Sequence, residues 1–64
     1  MTAEQIVVQV GAKWNGVQRG LRPGQELAMF TDLVTRSTIC LPLTEVTTET
    51  VTAAIAKKRA EYAA

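Results

Sequence analysis

Two short apolar runs stand on either side of a polar break between Glu26 and Leu43. They read Leu27-Ala28-Met29-Phe30 and Ile39-Cys40-Leu41. The polar break has the turn-forming residue Asp32 near its start, and Thr and Ser residues follow where a second strand would resume. This pattern predicts a β-hairpin over residues 26–43, which the rest of the chain covers or extends.

The hydrophobic pattern before this hairpin is typical of a half-buried strand. The even positions from 6 to 14 are Ile6, Val8, Val10, Ala12 and Trp14, and polar residues or glycine occupy most odd ones. Asn15-Gly16 follows, and this dipeptide is favoured in type I′ hairpin turns because both positions take positive φ. We therefore expect a strand or hairpin over residues 5–21, with Trp14 at its tip. A type II turn is expected at Arg22-Pro23-Gly24-Gln25.

Residues 24–34 also have features of a helix. Leu, Ala and Met favour helices, Pro23 could begin one, and Leu27, Phe30 and Val34 have helical spacing. We prefer a strand because Asp32 and the polar residues after it end the apolar run too early for a helix of usual length.

The C-terminal segment predicts a helix over residues 48–62. Thr47 is a suitable N-cap, Glu49 lies in the first turn, and Val46 and Val51 have the spacing of a hydrophobic staple. The apolar stripe comprises Val51, Ala54, Ile55 and Tyr62, and the basic residues Lys57, Lys58 and Arg59 follow towards the end. We expect the Val51–Ile55 side to pack on the sheet.

The predicted fold is α+β: a small antiparallel sheet of three to four strands with one C-terminal helix packed on one face. Its 64 residues provide room for one domain, 1–64, with a thin core. Domains of this size usually need a disulfide, a metal or a partner subunit. A single cysteine and no histidine exclude an internal disulfide and a conventional zinc site, so a partner subunit is favoured.

Both faces of the predicted sheet carry apolar side chains. A four-residue loop pairs Phe30 with Ile39 and Ala28 with Leu41, and the other face then holds Leu27, Met29, Thr31, Thr38 and Cys40. One helix covers one face, and exposing a few hundred Å² of apolar sheet forfeits several kcal/mol at about 25 cal/mol per Å². We therefore predict a non-enzymatic protein-interaction module that forms a homodimer or binds a protein partner. Its predicted partner-binding residues are Leu27, Met29 and Phe30, with Trp14 at the rim.

Nucleic-acid binding is the main alternative. Residues 5–25 contain no acidic residue, and Lys13, Trp14, Arg19 and Arg22 could combine base stacking with phosphate contacts. The simpler interpretation is that Trp14 closes the core and the cations are solvated. A pocket of the dimer that binds a small anionic ligand is a third hypothesis. A net charge of +1 argues against a strongly electrostatic role unless the charges segregate in space.

Catalytic and cofactor chemistry has no signature in the sequence. Cys40 lacks a histidine partner, the carboxylates are scattered singly, and the glycines do not form a phosphate-binding loop. We predict no enzyme activity, no cofactor and no metal. The apolar runs are far shorter than the roughly 20 residues of a spanning helix, and the N-terminus lacks a basic signal-peptide start, so we expect a cytoplasmic protein with no membrane partner. A very small, Thr-rich chain would suit an accessory protein of a phage or another mobile element.

Overall fold

The computed structural model describes residues 1–63 as two helices and a three-stranded antiparallel sheet. The elements are α1 (Ala3–Val10), β1 (Ala12–Arg19), β2 (Glu26–Asp32), β3 (Thr38–Pro42), a short 3-10 helix (Leu43–Glu45) and α2 (Thr48–Ala63). The strands lie in the order β1-β2-β3. The α+β class is confirmed, and the sheet of the described residues has three strands rather than four.

The predicted strand at the start of the chain is wrong, because residues 3–10 form helix α1. Thr2 caps this helix reciprocally: its hydroxyl accepts from the Gln5 N–H, and its own N–H donates to the Gln5 side chain over 2.8 Å. The apolar residues that pack on the core are Ala3, Ile6, Val7 and Val10, which is helical spacing. Val8, a member of the apparent alternation, is 57% exposed.

Gly11 ends α1 in a left-handed conformation, with φ 101° and its N–H directed to the Val7 and Val8 carbonyls. A side chain at this position would meet no neighbouring atom, so the backbone conformation alone opposes substitution. We expect Gly11→Ala to destabilise the protein by about 1 kcal/mol and Gly11→Asn by less, because asparagine tolerates positive φ better. Urea unfolding measures the free energy of unfolding of both variants. Equal losses of this free energy would contradict the explanation by backbone conformation.

Asn15-Gly16 forms a bulge inside β1 and not the predicted hairpin turn. Trp14 pairs with Phe30 and Gly16 pairs with Met29, so Asn15 is an extra residue in the strand. Gly16 has φ 111°, and the Asn15 side-chain amide donates to the Thr31 hydroxyl over 2.7 Å. Trp14 therefore lies within a strand, away from any hairpin tip.

The β1–β2 hairpin turns at the site predicted for a type II turn. The Gln25 N–H donates to the Arg22 carbonyl over 3.1 Å, and Gly24 has φ 79°. This turn prediction is confirmed. The alternative helix over residues 24–34 is wrong, because β2 occupies most of that segment.

The β2–β3 hairpin agrees with the prediction, including its register. Phe30 pairs with Ile39 and Ala28 pairs with Leu41, on a face that is buried. The hairpin over residues 26–43 is thus confirmed, as is the helix predicted from Thr48, which extends to Ala63.

One core lies between this sheet face and the two helices. It comprises Val7, Ala12, Ala28, Phe30, Ile39, Val46, Val51 and Ile55. The N-terminus of α2 is fixed by the Thr47 hydroxyl, which accepts from the Thr50 N–H over 3.1 Å. Two helices, rather than the predicted one, therefore cover the same side of the sheet. In the described residues, neither α1 nor α2 combines the length and apolar character that a bilayer crossing requires.

Candidate functional site

Four apolar residues form a patch on the sheet face opposite the helices. Met29 pairs with Cys40, and Leu27 pairs with Pro42, across β2 and β3. Paired residues share a face, so the four side chains are neighbours. Leu27, Met29 and Pro42 are half-buried, and Cys40 is an exposed free thiol. We call Leu27, Met29, Cys40 and Pro42 the open patch.

Polar positions surround the open patch on this face. In β1, Gly16 stands beside Met29 and Gln18 beside Leu27, so β1 contributes no apolar side chain there. Lys13, Thr31 and Thr38 form the next row towards the β2–β3 turn. The outer face is thus apolar on β2 and β3 and polar on β1.

The outer edge of β3 is unpaired in the described chain. The Asp32 N–H donates to the Ser37 carbonyl over 3.0 Å, and bonded pairs alternate along an antiparallel ladder. This alternation directs the backbone groups of Ile39 and Leu41 towards β2 and those of Thr38, Cys40 and Pro42 outward. Proline lacks an N–H, which suits an outward position. Residues 38–43 carry no charge themselves, and the charged residues beside them are Lys57, Lys58 and Glu61 of α2.

The edge of β1 is protected against strand pairing in two ways. The bulge at Asn15 interrupts its ladder, and exposed charged residues, Lys13 and Arg19, stand near its two ends. The open patch and the β3 edge therefore form the more favourable surface for association.

Two residues predicted to bind a partner lie outside the open patch. Phe30 is fully buried beneath the helices, which corrects its prediction as a surface residue. Trp14 pairs with Phe30, so it is on the helix side of the sheet, where it is half-buried against the core. Leu27 and Met29 do lie together on the open face.

The residues predicted to bind nucleic acid do not form one cluster. Lys13 and Arg19 occupy opposite ends of β1, about 20 Å apart at the rise of a strand, and Arg22 lies in the loop beyond Arg19. Arg19 also stands opposite Glu26 in the β1–β2 ladder. Trp14 lies on the helix side of the sheet, whereas Lys13 is on the outer face.

A buried carboxylate organises the β2–β3 turn. Asp32 accepts two hydrogen bonds from Arg59, at 3.0 Å from Nε and 2.9 Å from Nη2, and further bonds from Val34 N–H and Thr35 Oγ1. The hydrogen bonds from Arg59 are the main reason that the pKa of Asp32 lies well below its ordinary value, and burial opposes this shift only in part. The sequence identified Asp32 as a turn residue, but Arg59 is 27 residues away and no local pattern links them.

Chemical sites of other kinds are not formed by the described residues. Within residues 1–63, no group of three or more His, Cys, Asp or Glu side chains is arranged to hold a metal ion. A broad depression on α1, lined by Met1, Glu4, Gln5, Val8 and Gln9, carries a carboxylate and no cationic side chain. This lining does not favour a small anion.

We compared the chain with protein-family models, with curated proteins and with solved structures, and none of these comparisons gave a match. The functional proposal therefore rests on the contacts of this chain.

Proposed function

We propose that the protein is a small non-enzymatic interaction module whose copies form a homodimer through the open patch and the β3 edge. The observation that carries this proposal is the coincidence of an apolar patch on β2 and β3 with the unpaired edge of β3, whose own residues carry no charge. Apolar area and free backbone groups are then available to the same partner.

Apolar burial supplies the driving force. Fully burying an apolar side chain contributes about 1.5–3 kcal/mol. In the edge-paired dimer, Cys40 and Pro42 lie next to the other copy, whereas Leu27 and Met29 lie one strand farther from it, so the patch adds part of this amount. A two-fold dimer doubles the contribution, because the same surface is used on both copies. A gain of this size matters in a 64-residue domain with a thin core.

The β3 edge supplies the geometry. Antiparallel pairing of two β3 strands about a two-fold axis at Cys40 lets each Cys40 N–H donate to the Cys40 carbonyl of the other copy. Each Thr38 N–H then donates to the Pro42 carbonyl of the other copy. Because Pro42 has no N–H, the Thr38 carbonyl opposite it remains bonded to water. The two sheets would continue as six strands, with the two open patches adjacent.

A second copy fits this surface better than a charged partner does. The residues of β3 and of the patch contain no ionisable side chain apart from the Cys40 thiol, and the α2 residues beside β3 carry charges of both signs. Two-fold pairing satisfies both edges at once, whereas a different protein would need its own free strand. The exposed free thiol of Cys40 is consistent with a reducing cytoplasm, where we place the module.

Substitution of Cys40 by lysine tests the patch. The variant would place two lysines opposite each other at the two-fold axis, and we expect the dimer dissociation constant to rise about fivefold. Val8→Lys is the matched control, because Val8 is an exposed apolar residue of α1 outside the patch. Sedimentation equilibrium measures the dimer dissociation constants of the two variants, and circular dichroism checks that both remain folded.

Substitution of Thr38 by proline tests the edge independently. Thr38 is the first residue of β3 and its N–H points outward, so proline there removes an intermolecular donor while keeping the β2–β3 ladder. We expect a weaker dimer and an intact monomer fold. A wild-type chain that stays monomeric at about 1 mM would refute the homodimer, as would a Cys40→Lys dimer as tight as the wild type.

A further inference from the structure

The charges of the protein are separated in space, although its net charge is only +1. The region around the β2–β3 turn and the second half of α2 contains five cations and two acids, a net charge of +3. These residues are Lys13, Arg36, Lys57, Lys58 and Arg59, with Asp32 and Glu61. We call this region the basic end. The rest of the chain has two cations and four acids, a net charge of −2.

Three of these cations lie at the end of the sheet where Asp32 stands. Arg59 forms its paired hydrogen bonds with the Asp32 carboxylate, and the Arg36 N–H donates to the Asp32 carbonyl over 2.7 Å. Lys13 follows Ala12, which pairs with Asp32 in the β1–β2 ladder. A cation from β1, one from the turn and one from α2 thus lie at the same end of the sheet, with Lys13 on its outer face and Arg59 on its helix side.

The acids of the basic end neutralise little of its surface. Asp32 is fully buried and directed at Arg59, and Glu61 pairs with Lys58 over 3.6 Å. Lys13, Arg36 and Lys57 are exposed and form no ion pair with the residues that the structure describes. The side chain of Arg59 remains 48% exposed while it binds Asp32. Four cations can therefore meet an external anion.

We infer that the basic end binds the phosphate backbone of a nucleic-acid duplex. A duplex carries about one negative charge per 1.7 Å along its axis, so a compact group of cations gains more from it than from an isolated anion. Trp14, the neighbour of Lys13, is half-buried on the opposite face of the sheet, and the exposed aromatic side chain near these cations is Tyr62, but the bases of a duplex are already stacked on one another. The contact is therefore with phosphates and independent of sequence.

Exposed aliphatic residues do not favour a lipid surface at this end. Leu33 and Val34 in the β2–β3 turn are 60% and 70% exposed, but Leu21 near the opposite turn is fully exposed. Exposed aliphatic side chains occur at both ends, whereas the excess of positive charge occurs at one. Charge is thus the property that distinguishes the basic end.

Binding of the full chain to labelled duplexes of about 20 base pairs, of DNA and of RNA, tests the inference. With about three phosphate contacts, raising the salt concentration from about 50 to 200 mM should weaken binding roughly 40-fold. We expect the double variant Lys13→Gln/Arg36→Gln to lose at least about tenfold in affinity and to show a flatter salt dependence. Arg59 is left unchanged because it holds Asp32.

The matched control is Arg19→Gln/Arg22→Gln, which removes the same charge at the other end of the sheet and should change affinity by less than about twofold. Equal losses in the two double variants would overturn the assignment, as would the absence of salt-dependent duplex binding. Tighter binding to a single strand that is lost in Tyr62→Ala, or binding to anionic vesicles alone, would also overturn it. None of these substitutions touches the open patch, so this inference and the proposed dimer can fail separately.

Discussion

Replacement of Phe30 by alanine is expected to unfold much of the protein at room temperature. Phe30 is fully buried at the centre of β2, beneath both helices. Removing such a side chain typically costs about 3–5 kcal/mol. At about 0.05–0.15 kcal/mol per residue, a chain of this length has roughly 3–10 kcal/mol of total stability. We expect the unfolding midpoint to fall by about 12–40 °C, measured by circular dichroism on dilute protein.

The adjacent residue provides the control for Phe30. Met29 directly precedes Phe30 in β2 and is half-buried on the opposite face of the sheet. Met29→Ala should therefore change the stability of the monomer by much less than Phe30→Ala. If both variants lost stability equally at low concentration, the assignment of one buried and one open face would be wrong.

The same alternation explains why the β2–β3 hairpin could be predicted from sequence. Two apolar runs, a turn residue at Asp32 and a loop of fixed length leave one register that puts Phe30 with Ile39. That register separates Phe30 from Leu27 and Met29. Including Phe30 among the surface residues contradicted the register itself, and the two helices on its face settle the point.

The N-terminal segment was harder to predict because its apolar residues satisfy two periods. Ile6, Val8 and Val10 alternate as in a strand, while Ile6, Val7 and Val10 follow a helical stripe. Valine favours strands, but the cap formed by Thr2 and Gln5 stabilises the first turn of a helix. The capping pair was visible in the sequence and is the signal that distinguishes the two periods.

The Asn15-Gly16 dipeptide shows that a local preference can be correct while its role is misread. Positive φ at Gly16 was expected and is observed, at 111°. This conformation belongs to a bulge and not to a turn. The hairpin is closed at Pro23-Gly24, and β1 pairs there with the apolar strand β2. The residues after Gly16 therefore continue β1 and pair with Glu26–Ala28 of β2.

Loss of the Asp32 carboxylate is expected to destabilise the protein more than any other substitution of a charged residue. Its oxygens accept from Arg59, Val34 and Thr35, so Asp32→Ala would remove four hydrogen bonds at a partly buried site and detach α2 from the turn. Glu61→Ala is the control, because it breaks the exposed Lys58–Glu61 pair, and such pairs contribute at most about 1 kcal/mol. Thermal unfolding should show that Asp32→Ala lowers the free energy of unfolding at least twice as much as Glu61→Ala does.

Acid should reveal the same interaction in the wild-type protein. The hydrogen bonds from Arg59 hold the pKa of folded Asp32 below its ordinary value of 3.8, so the folded state binds its proton less readily than the unfolded chain does. The stabilisation is therefore complete at neutral pH and is lost as the pH falls from about 5, through 3.8, towards the folded pKa. Asp32→Asn cannot titrate there, and its unfolding midpoint should fall less between pH 7 and pH 3 than that of the wild type. Because the other carboxylates titrate in both proteins, the difference between the two curves isolates Asp32, and parallel curves would show that its bond to Arg59 does not stabilise the fold.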